Sequence, residues 1–235
     1  MAVTNAPAGS GARAYPYRVE ELTYTAGEIM LYPGEPSALY RLRTGLVRLH
    51  AVDDAGFGVT LRYVKPRGYF GEEALAGKRR RYFAEAVTDS RAEVVDPEAL
   101  DRRELTDLAT ALAASLQQLN GSLLRLAGKP LRARIAAELL ELADSALAGH
   151  TDAGLSVVYL THDDLASAVG SVRETVTKVI GELSRLGTLR AGYGKIVLLD
   201  RPALAAIAGV GKKTPPPGGN GERKKNRPPR NKKKT

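Results

Sequence analysis

Arg173, Glu174, Thr175 and Lys178 crowd into the opening turns of a stretch whose apolar residues repeat with helical spacing. Those side chains suit the edges of bases. A guanidinium such as that of Arg173 can donate two hydrogen bonds to guanine O6 and N7, and the Glu174 carboxylate can accept from cytosine N4. Lys178 can reach a second guanine or a phosphate. Two helix starts stand ten residues apart, Thr161-His162-Asp163-Asp164 and Ser171-Val172-Arg173-Glu174, each a hydroxyl followed three positions later by an acid. Thr161 and Ser171 are expected to cap these helices and, beyond capping, to hold phosphates where free backbone amides attract anions. Leu165, Ala166, Val169, Val176 and Val179 put small and apolar residues where two helices joined by a tight turn must touch, and Gly170 suits a left-handed turn position. The pattern predicts a helix-turn-helix whose second helix enters the major groove by its N-terminal end. A solvated helix face with a Glu174–Lys178 pair would account for the charges, but not for the turn and the caps.

Downstream, Leu189-Arg190-Ala191 and Ile196-Val197-Leu198-Leu199 flank Gly192-Tyr193-Gly194-Lys195, a hairpin signal that adds a wing and points Lys195 at a nucleic-acid backbone. Other chemistries find little to work with. The chain has no cysteine, which removes disulfides, thiolate zinc sites, iron–sulfur clusters and cysteine nucleophiles. His50, His150 and His162 are scattered without metal-ligand spacing, and no nucleophile–base pair or phosphate loop occurs, so neither catalysis nor a bound metal is expected. The competing class, a metalloenzyme on a cupin-like β-barrel, would need several histidines where the β-rich segment offers His50 alone.

Several elements must position this module. The 235 residues suffice for two modest domains, and 43% hydrophobic with 26% charged residues is ordinary for a globular chain. No apolar run is long enough to span a bilayer and no secretion signal opens the chain, so no membrane partner and a cytoplasmic location are expected. Residues 1–14 read as a disordered lead. Over residues 15–96, glycines 27, 34, 45, 56 and 68 separate short β-rich runs, which predicts an antiparallel sandwich or barrel with a hairpin at Val52–Gly56. Over residues 97–128, Leu105, Leu108, Leu112, Leu116, Leu119, Leu123 and Leu126 step by three or four, the mark of a long helix. That stripe is longer than a small β-domain can cover, so pairing of two copies into a homodimer is expected. Gly128-Lys129-Pro130 breaks the helix before Leu131–Leu147 resumes it, and residues 129–209 form the helix-turn-helix domain. The net charge of +9 sits entirely in the tail of residues 210–235, where ten Lys or Arg face the single acid Glu222. The tail lacks apolar anchors. It is expected to stay unfolded, serving either solubility or a sequence-independent attraction for phosphates. The fold class is α+β.

The chain resembles the CRP/FNR family of regulators over about residues 17–208. The likeness rests on Ala26-Gly27-Glu28, Tyr32-Pro33-Gly34-Glu35, Leu39-Tyr40-Arg41-Leu42, Gly45-Leu46-Val47-Arg48-Leu49, Gly68-Tyr69-Phe70-Gly71-Glu72 and, most diagnostic, Val172-Arg173-Glu174-Thr175-Val176. The resemblance implies an N-terminal cyclic-nucleotide-binding-like β-roll, a long dimerisation helix and a C-terminal winged helix-turn-helix. It also implies double-stranded DNA and RNA polymerase as partners. Arg173, Glu174 and Lys178 match the family's base-reading positions, which implies TGTGA-like half-sites in a palindrome.

For an effector, the same resemblance points to Gly71, Glu72, Arg81 and Tyr82 around the cyclic phosphate and ribose, and to Asn120 near the base. Glu72 and Arg81 match the family's pattern. Tyr82 and Phe83 stand where it has a small hydroxyl and a small residue, and Glu73 adds negative charge beside the anion's place. The expectation is a DNA-competent protein with no obligatory cofactor, cyclic AMP being bound weakly or not at all. A cyclic-AMP-gated member of the family is the alternative.

Overall fold

The computed structural model describes residues 21–209 apart from Ser37 and Ala55. The expected lead, residues 15–20 and the basic tail lie outside the described residues. The glycine-punctuated runs form β1 (Glu21–Tyr24), β2 (Ile29–Leu31), β3 (Leu39–Thr44), β4 (Val47–Val52), β5 (Gly58–Val64), β6 (Tyr69–Phe70), β7 (Phe83–Ala86) and β8 (Ser90–Val95). They make two antiparallel four-stranded sheets, ordered β1-β8-β3-β6 and β2-β7-β4-β5. Alternation decides what faces inward: Val47 and Leu49 of β4 are buried with Leu42, Val64, Phe70 and Ala84 between the sheets, while Arg48 and His50 point to the other face. The expected hairpin joins β4 to β5, pairing Val52 with Gly58, and the Asp53 carboxylate accepts the Phe57 N–H at 2.8 Å across the turn.

Helix α1 (Arg102–Gly128) starts after the composition break at residue 97, because Asp101 caps it. Its carboxylate accepts the Glu104 N–H at 2.8 Å, and the Glu104 carboxylate accepts the Asp101 N–H at 2.9 Å. Leu108 is buried against Leu39 and Tyr69 of the β-roll, with Leu112 packed alongside. Beyond that contact the stripe emerges into solvent: Leu116 and Leu123 are 61 and 62% exposed, and Leu124, adjoining the stripe, is 73% exposed.

The helix ends at Gly128, and α2 (Leu131–Leu142) resumes after Pro130. It stops five residues before the expected Leu147, since a turn follows in which the Ser145 hydroxyl donates to the Leu142 carbonyl at 2.7 Å. Two three-residue strands absent from the sequence expectation come next, β9 (Ala148–His150) and β10 (Ser156–Val158). Then follow α3 (His162–Val169), α4 (Arg173–Arg185), β11 (Leu189–Gly192), β12 (Lys195–Leu198) and α5 (Arg201–Ala208). The wing is thus one edge of a four-stranded sheet ordered β11-β12-β10-β9. Its core of Ile135, Leu139, Leu165, Ile180, Leu183 and Leu198 is fully buried and also takes in Leu46 of the β-roll. Each such side chain contributes about 2 kcal/mol by leaving water.

Candidate nucleic-acid interface

Helix α3 begins as the sequence predicts. Thr161 Oγ1 accepts the Asp164 N–H at 3.1 Å and donates to Asp164 Oδ2 at 2.6 Å, while Oδ2 accepts the Thr161 N–H at 3.0 Å. The Thr161 hydroxyl is therefore engaged in its cap. Helix α3 closes at Gly170, whose φ of +60° is left-handed and whose N–H reaches the Ala166 carbonyl. A Cβ there would also come within 2.8 Å of the terminal methyl of exposed Leu126 on α1, which is free to turn aside, so it is the left-handed φ that favours glycine.

The second expected cap is corrected. Val172, not Ser171, is the N-cap of α4, and no side chain caps that helix. The Ser171 N–H is drawn back to the Ala166 carbonyl at 3.0 Å by the turn at Gly170, which keeps Ser171 in the turn and out of the capping position.

Val176, Ile180 and Leu183 bury one face of α4. In its first two turns Arg173, Glu174, Thr175, Thr177 and Lys178 are all exposed. Arg173 Nη1 lies 3.2 Å from Asp163 Oδ2, with both side chains 63% exposed, and the His162 ring hydrogen-bonds the Thr177 hydroxyl at 2.9 Å. Among the described residues no ion pair joins Glu174 to Lys178, so the face is not closed on itself. At the wing tip Lys195 is exposed beside Tyr193, whose ring lies wholly in solvent, and Arg190 is exposed on β11. The sequence reading passed over Tyr193, although an aromatic between two glycines at a hairpin tip has no core to enter.

The residues expected to hold an effector are only partly assembled. Gly71, at φ +78°, lets the chain pass where a Cβ would lie 2.1 Å from the Ala38 carbonyl. Its N–H donates to the Tyr82 hydroxyl at 3.1 Å, and that hydroxyl donates to the Glu73 carboxylate at 2.9 Å. Tyr82 is buried in the β-roll core. Burial, reinforced by the Glu72 and Glu73 carboxylates, pushes its hydroxyl well above the usual tyrosine range, so it remains a protonated donor. Glu72 is held by Arg62, Nη2 to Oε1 at 2.7 Å. Arg62 is itself buried and also donates to Ser115 Oγ at 3.1 Å and the Tyr69 carbonyl at 3.3 Å. Arg81 stands exposed with Lys78 and Arg79 beside Pro33 and Gly34, and Asn120 is exposed on α1; neither joins Gly71, Glu72 and Tyr82. Arg62 escaped the sequence reading, though an arginine two residues from Val64 on the inward face of β5 is a legible anomaly.

Two family descriptions match the chain: a cyclic nucleotide-binding domain over residues 21–103 and a Crp-like helix-turn-helix domain over residues 133–207. The chain is 53% identical over 192 residues to the transcriptional regulator SdrP of Thermus thermophilus, covering 80% of this chain and 94% of that protein. The chain belongs to the CRP/FNR family of transcriptional regulators. It is also 40% identical over 190 residues to the Thermus thermophilus regulator LdrP, covering 81% of this chain and 94% of that one. A crystal structure of a CRP/FNR-family regulator from Thermus thermophilus superposes with a TM-score of 0.77 at 52% identity, covering 81% of this chain and 98% of the other. The α+β architecture of cyclic-nucleotide-binding-like roll, long helix and winged helix-turn-helix is that of the family, and the chain is a DNA-binding transcriptional regulator.

The residues that the resemblance assigns to a cyclic nucleotide are not gathered at one point of this roll. A cyclic phosphate needs cationic and small hydroxyl donors at one point. Here the Tyr82 ring occupies the interior beside Gly71, Arg62 is committed to Glu72, and Arg81 faces solvent. Among the described residues no group of three or more His, Asp or Glu is placed to hold a metal, and no helix is long and apolar enough to cross a membrane.

Proposed function

We propose that the protein reads a two-fold symmetric promoter site as a homodimer, with TGTGA-like half-sites and without obligatory cyclic AMP. The observation that carries this reading is the joint exposure of Arg173, Glu174, Thr175 and Lys178 at the N-terminal end of α4, with Lys195 exposed on the adjoining wing. Arg173 pairs with guanine, Glu174 with cytosine, and Lys178 with a second guanine or a phosphate. Phosphate contacts are assigned to Thr161, at the start of α3, and to the Ser171 hydroxyl, in the turn before α4. The exposed leucines of α1 support pairing of two copies, since water-facing Leu116, Leu123 and Leu124 would be buried by a second helix. Two recognition helices about one DNA turn apart then require a palindrome. The occupied roll interior supports independence from cyclic AMP: the Tyr82 ring fills the space beside Gly71, and its hydroxyl is paired with Glu73 without a ligand. RNA polymerase is the further partner, and the cytoplasm the compartment in which both partners are met.

Selection of bound duplexes from random DNA by the purified, ligand-free protein tests symmetry, sequence and effector dependence together. A two-fold symmetric motif is expected; an asymmetric or absent motif overturns the reading. A cyclic-AMP-gated regulator is favoured by one observation, the buried Glu72 Oε2 that lacks a hydrogen-bond partner and would accept from a ribose hydroxyl. Calorimetry showing micromolar or tighter binding of cyclic AMP would establish that alternative.

A further inference from the structure

The break at Gly128-Lys129-Pro130 leaves the orientation of the DNA-binding domain to non-covalent contacts. One polar contact crosses to the recognition module at its most sensitive point. Arg48 sits on β4 between inward-facing Val47 and Leu49, so alternation turns it away from the roll core, yet its side chain is only 14% exposed. Its Nη2 and Nε donate to Glu85 Oε2 at 2.7 and 3.2 Å, and its Nη1 donates to Asp164 Oδ1 at 2.9 Å. Asp164 is the capping carboxylate of α3, and its other oxygen holds the Thr161 N–H and hydroxyl. The preceding residues continue the link: Asp163 meets Arg173 and His162 meets Thr177, both on α4. A second link, Thr60 Oγ1 to Ser167 Oγ at 3.0 Å, ties β5 to the same helix. Beside the clamp a cleft of about 600 Å³ opens between the two halves, bordered by Arg48, Tyr63, Thr88, Tyr159 and Gly194. Leu46, Tyr63 and Val87 of the roll pack against the core of the DNA-binding domain, so the polar clamp sets the angle of a docking that apolar contact also supports.

We propose that Arg48 is a positioning residue for DNA reading: its forked guanidinium bridges Glu85 of the β-roll and Asp164 of α3, fixing the angle at which α4 is presented. A guanidinium suits this task because its planar fork serves two carboxylates at once, which an ammonium does not do in fixed geometry. Glu85 stays ionised for the purpose. The His50 ring, 3.3 Å away, and the Arg48 guanidinium outweigh its burial and hold its carboxyl down to about 2. The contribution to DNA affinity rests on the reading of α4 given above, whereas the clamp itself does not.

The chain has no cysteine, so cysteines placed at Val52, 46% exposed at the end of β4, and Leu186, 58% exposed at the end of α4, can carry a unique pair of spin labels. The full-length labelled protein, diluted with unlabelled protein, reports the distance within one chain by double electron–electron resonance. A narrow distribution is expected, broadened by Arg48→Gln and only partly restored by Arg48→Lys, with the thermal melting transition retained. On the selected duplex Arg48→Gln should bind roughly tenfold more weakly. Asp164→Asn, which keeps an amide oxygen for the cap, should cost a similar factor alone and little more when added to Arg48→Gln. The clamp is overturned by an unchanged distance distribution in both Arg48→Gln and Asp164→Asn, or by losses of the two substitutions that multiply as independent effects. The distance measurement uses no DNA, so failure of site selection and failure of the clamp are told apart.

Discussion

Arg173→Ala is the substitution that tests the recognition chemistry most directly. In the free protein Arg173 pairs with Asp163 at 3.2 Å, and both side chains are 63% exposed. A pair so open to water is worth about 0.2–1 kcal/mol, so it steadies the guanidinium over the helix turn without binding it tightly enough to compete with DNA. A two-pronged contact to guanine discriminates by about 1–3 kcal/mol. Removing Arg173 from both copies of a dimer therefore costs about 2–6 kcal/mol, a loss of roughly 30-fold at the low end. The fold should not suffer, because Arg173 contributes nothing to the buried core and Asp163 is already hydrated. Fluorescence anisotropy at one fixed salt concentration would compare wild type and variant on the selected duplex and on duplexes changed one base pair at a time. Discrimination should collapse at one symmetric pair of positions and persist elsewhere. A loss smaller than threefold, or a variant that keeps the full base preference at every position, would refute the assignment of Arg173 to a base edge.

Further outcomes follow from the same geometry. Burial of Glu138 on α2, with the Glu141 charge adding to it and Arg125 opposing, pushes its carboxyl up to about 7 from the ordinary 4.5. The folded protein therefore binds this proton more tightly than the unfolded chain, and the associated stability, about 3 kcal/mol, is complete below pH 4.5 and lost as pH rises through 7. Glu138→Gln should flatten that decline in urea melts at pH 5 and pH 8, and no difference between the two proteins at pH 8 would count against it. Tyr82→Phe leaves the Gly71 N–H and the Glu73 carboxylate without their shared partner inside the roll and should lower stability by about 1–3 kcal/mol in chemical denaturation. Stability unchanged by that substitution would mean that the hydroxyl does not complete the roll. Glu substituted for Leu123 and Leu124 should turn a dimer into a monomer in sedimentation velocity, since each leucine withdrawn from water contributes about 1.5–3 kcal/mol per copy. A dimer that persists in the double variant would remove this face of α1 from the interface.

The features legible in the sequence are those decided within a few residues. The Thr161–Asp164 cap, the left-handed turn at Gly170, the hairpins closing at Val52–Gly58 and Gly192–Lys195, and the leucine periodicity of α1 all follow from local spacing, and each is present in the fold. Local spacing also misled where two local signals competed. Ser171 has a capping pattern, but the turn already set by Gly170 claims its N–H, and the cap position passes to Val172. Three-residue strands such as β9 and β10 carry too little alternation to be read: β10 is made a strand by pairing with β12, and β9 by pairing with β10. The partners of charged groups were settled only by tertiary structure. Arg62 meets Glu72 because β5 and the turn after β6 converge inside the roll, and Arg48 meets Asp164 across 116 positions of chain because two domains dock. Sequence determines which residues can carry a charge or start a helix, through short-range sterics and hydrogen bonding. Which carboxylate answers which guanidinium, and whether an effector pocket stands open or is filled by the chain's own Tyr82, depends on long-range packing that brings distant residues within about 3 Å, the range over which hydrogen bonds act.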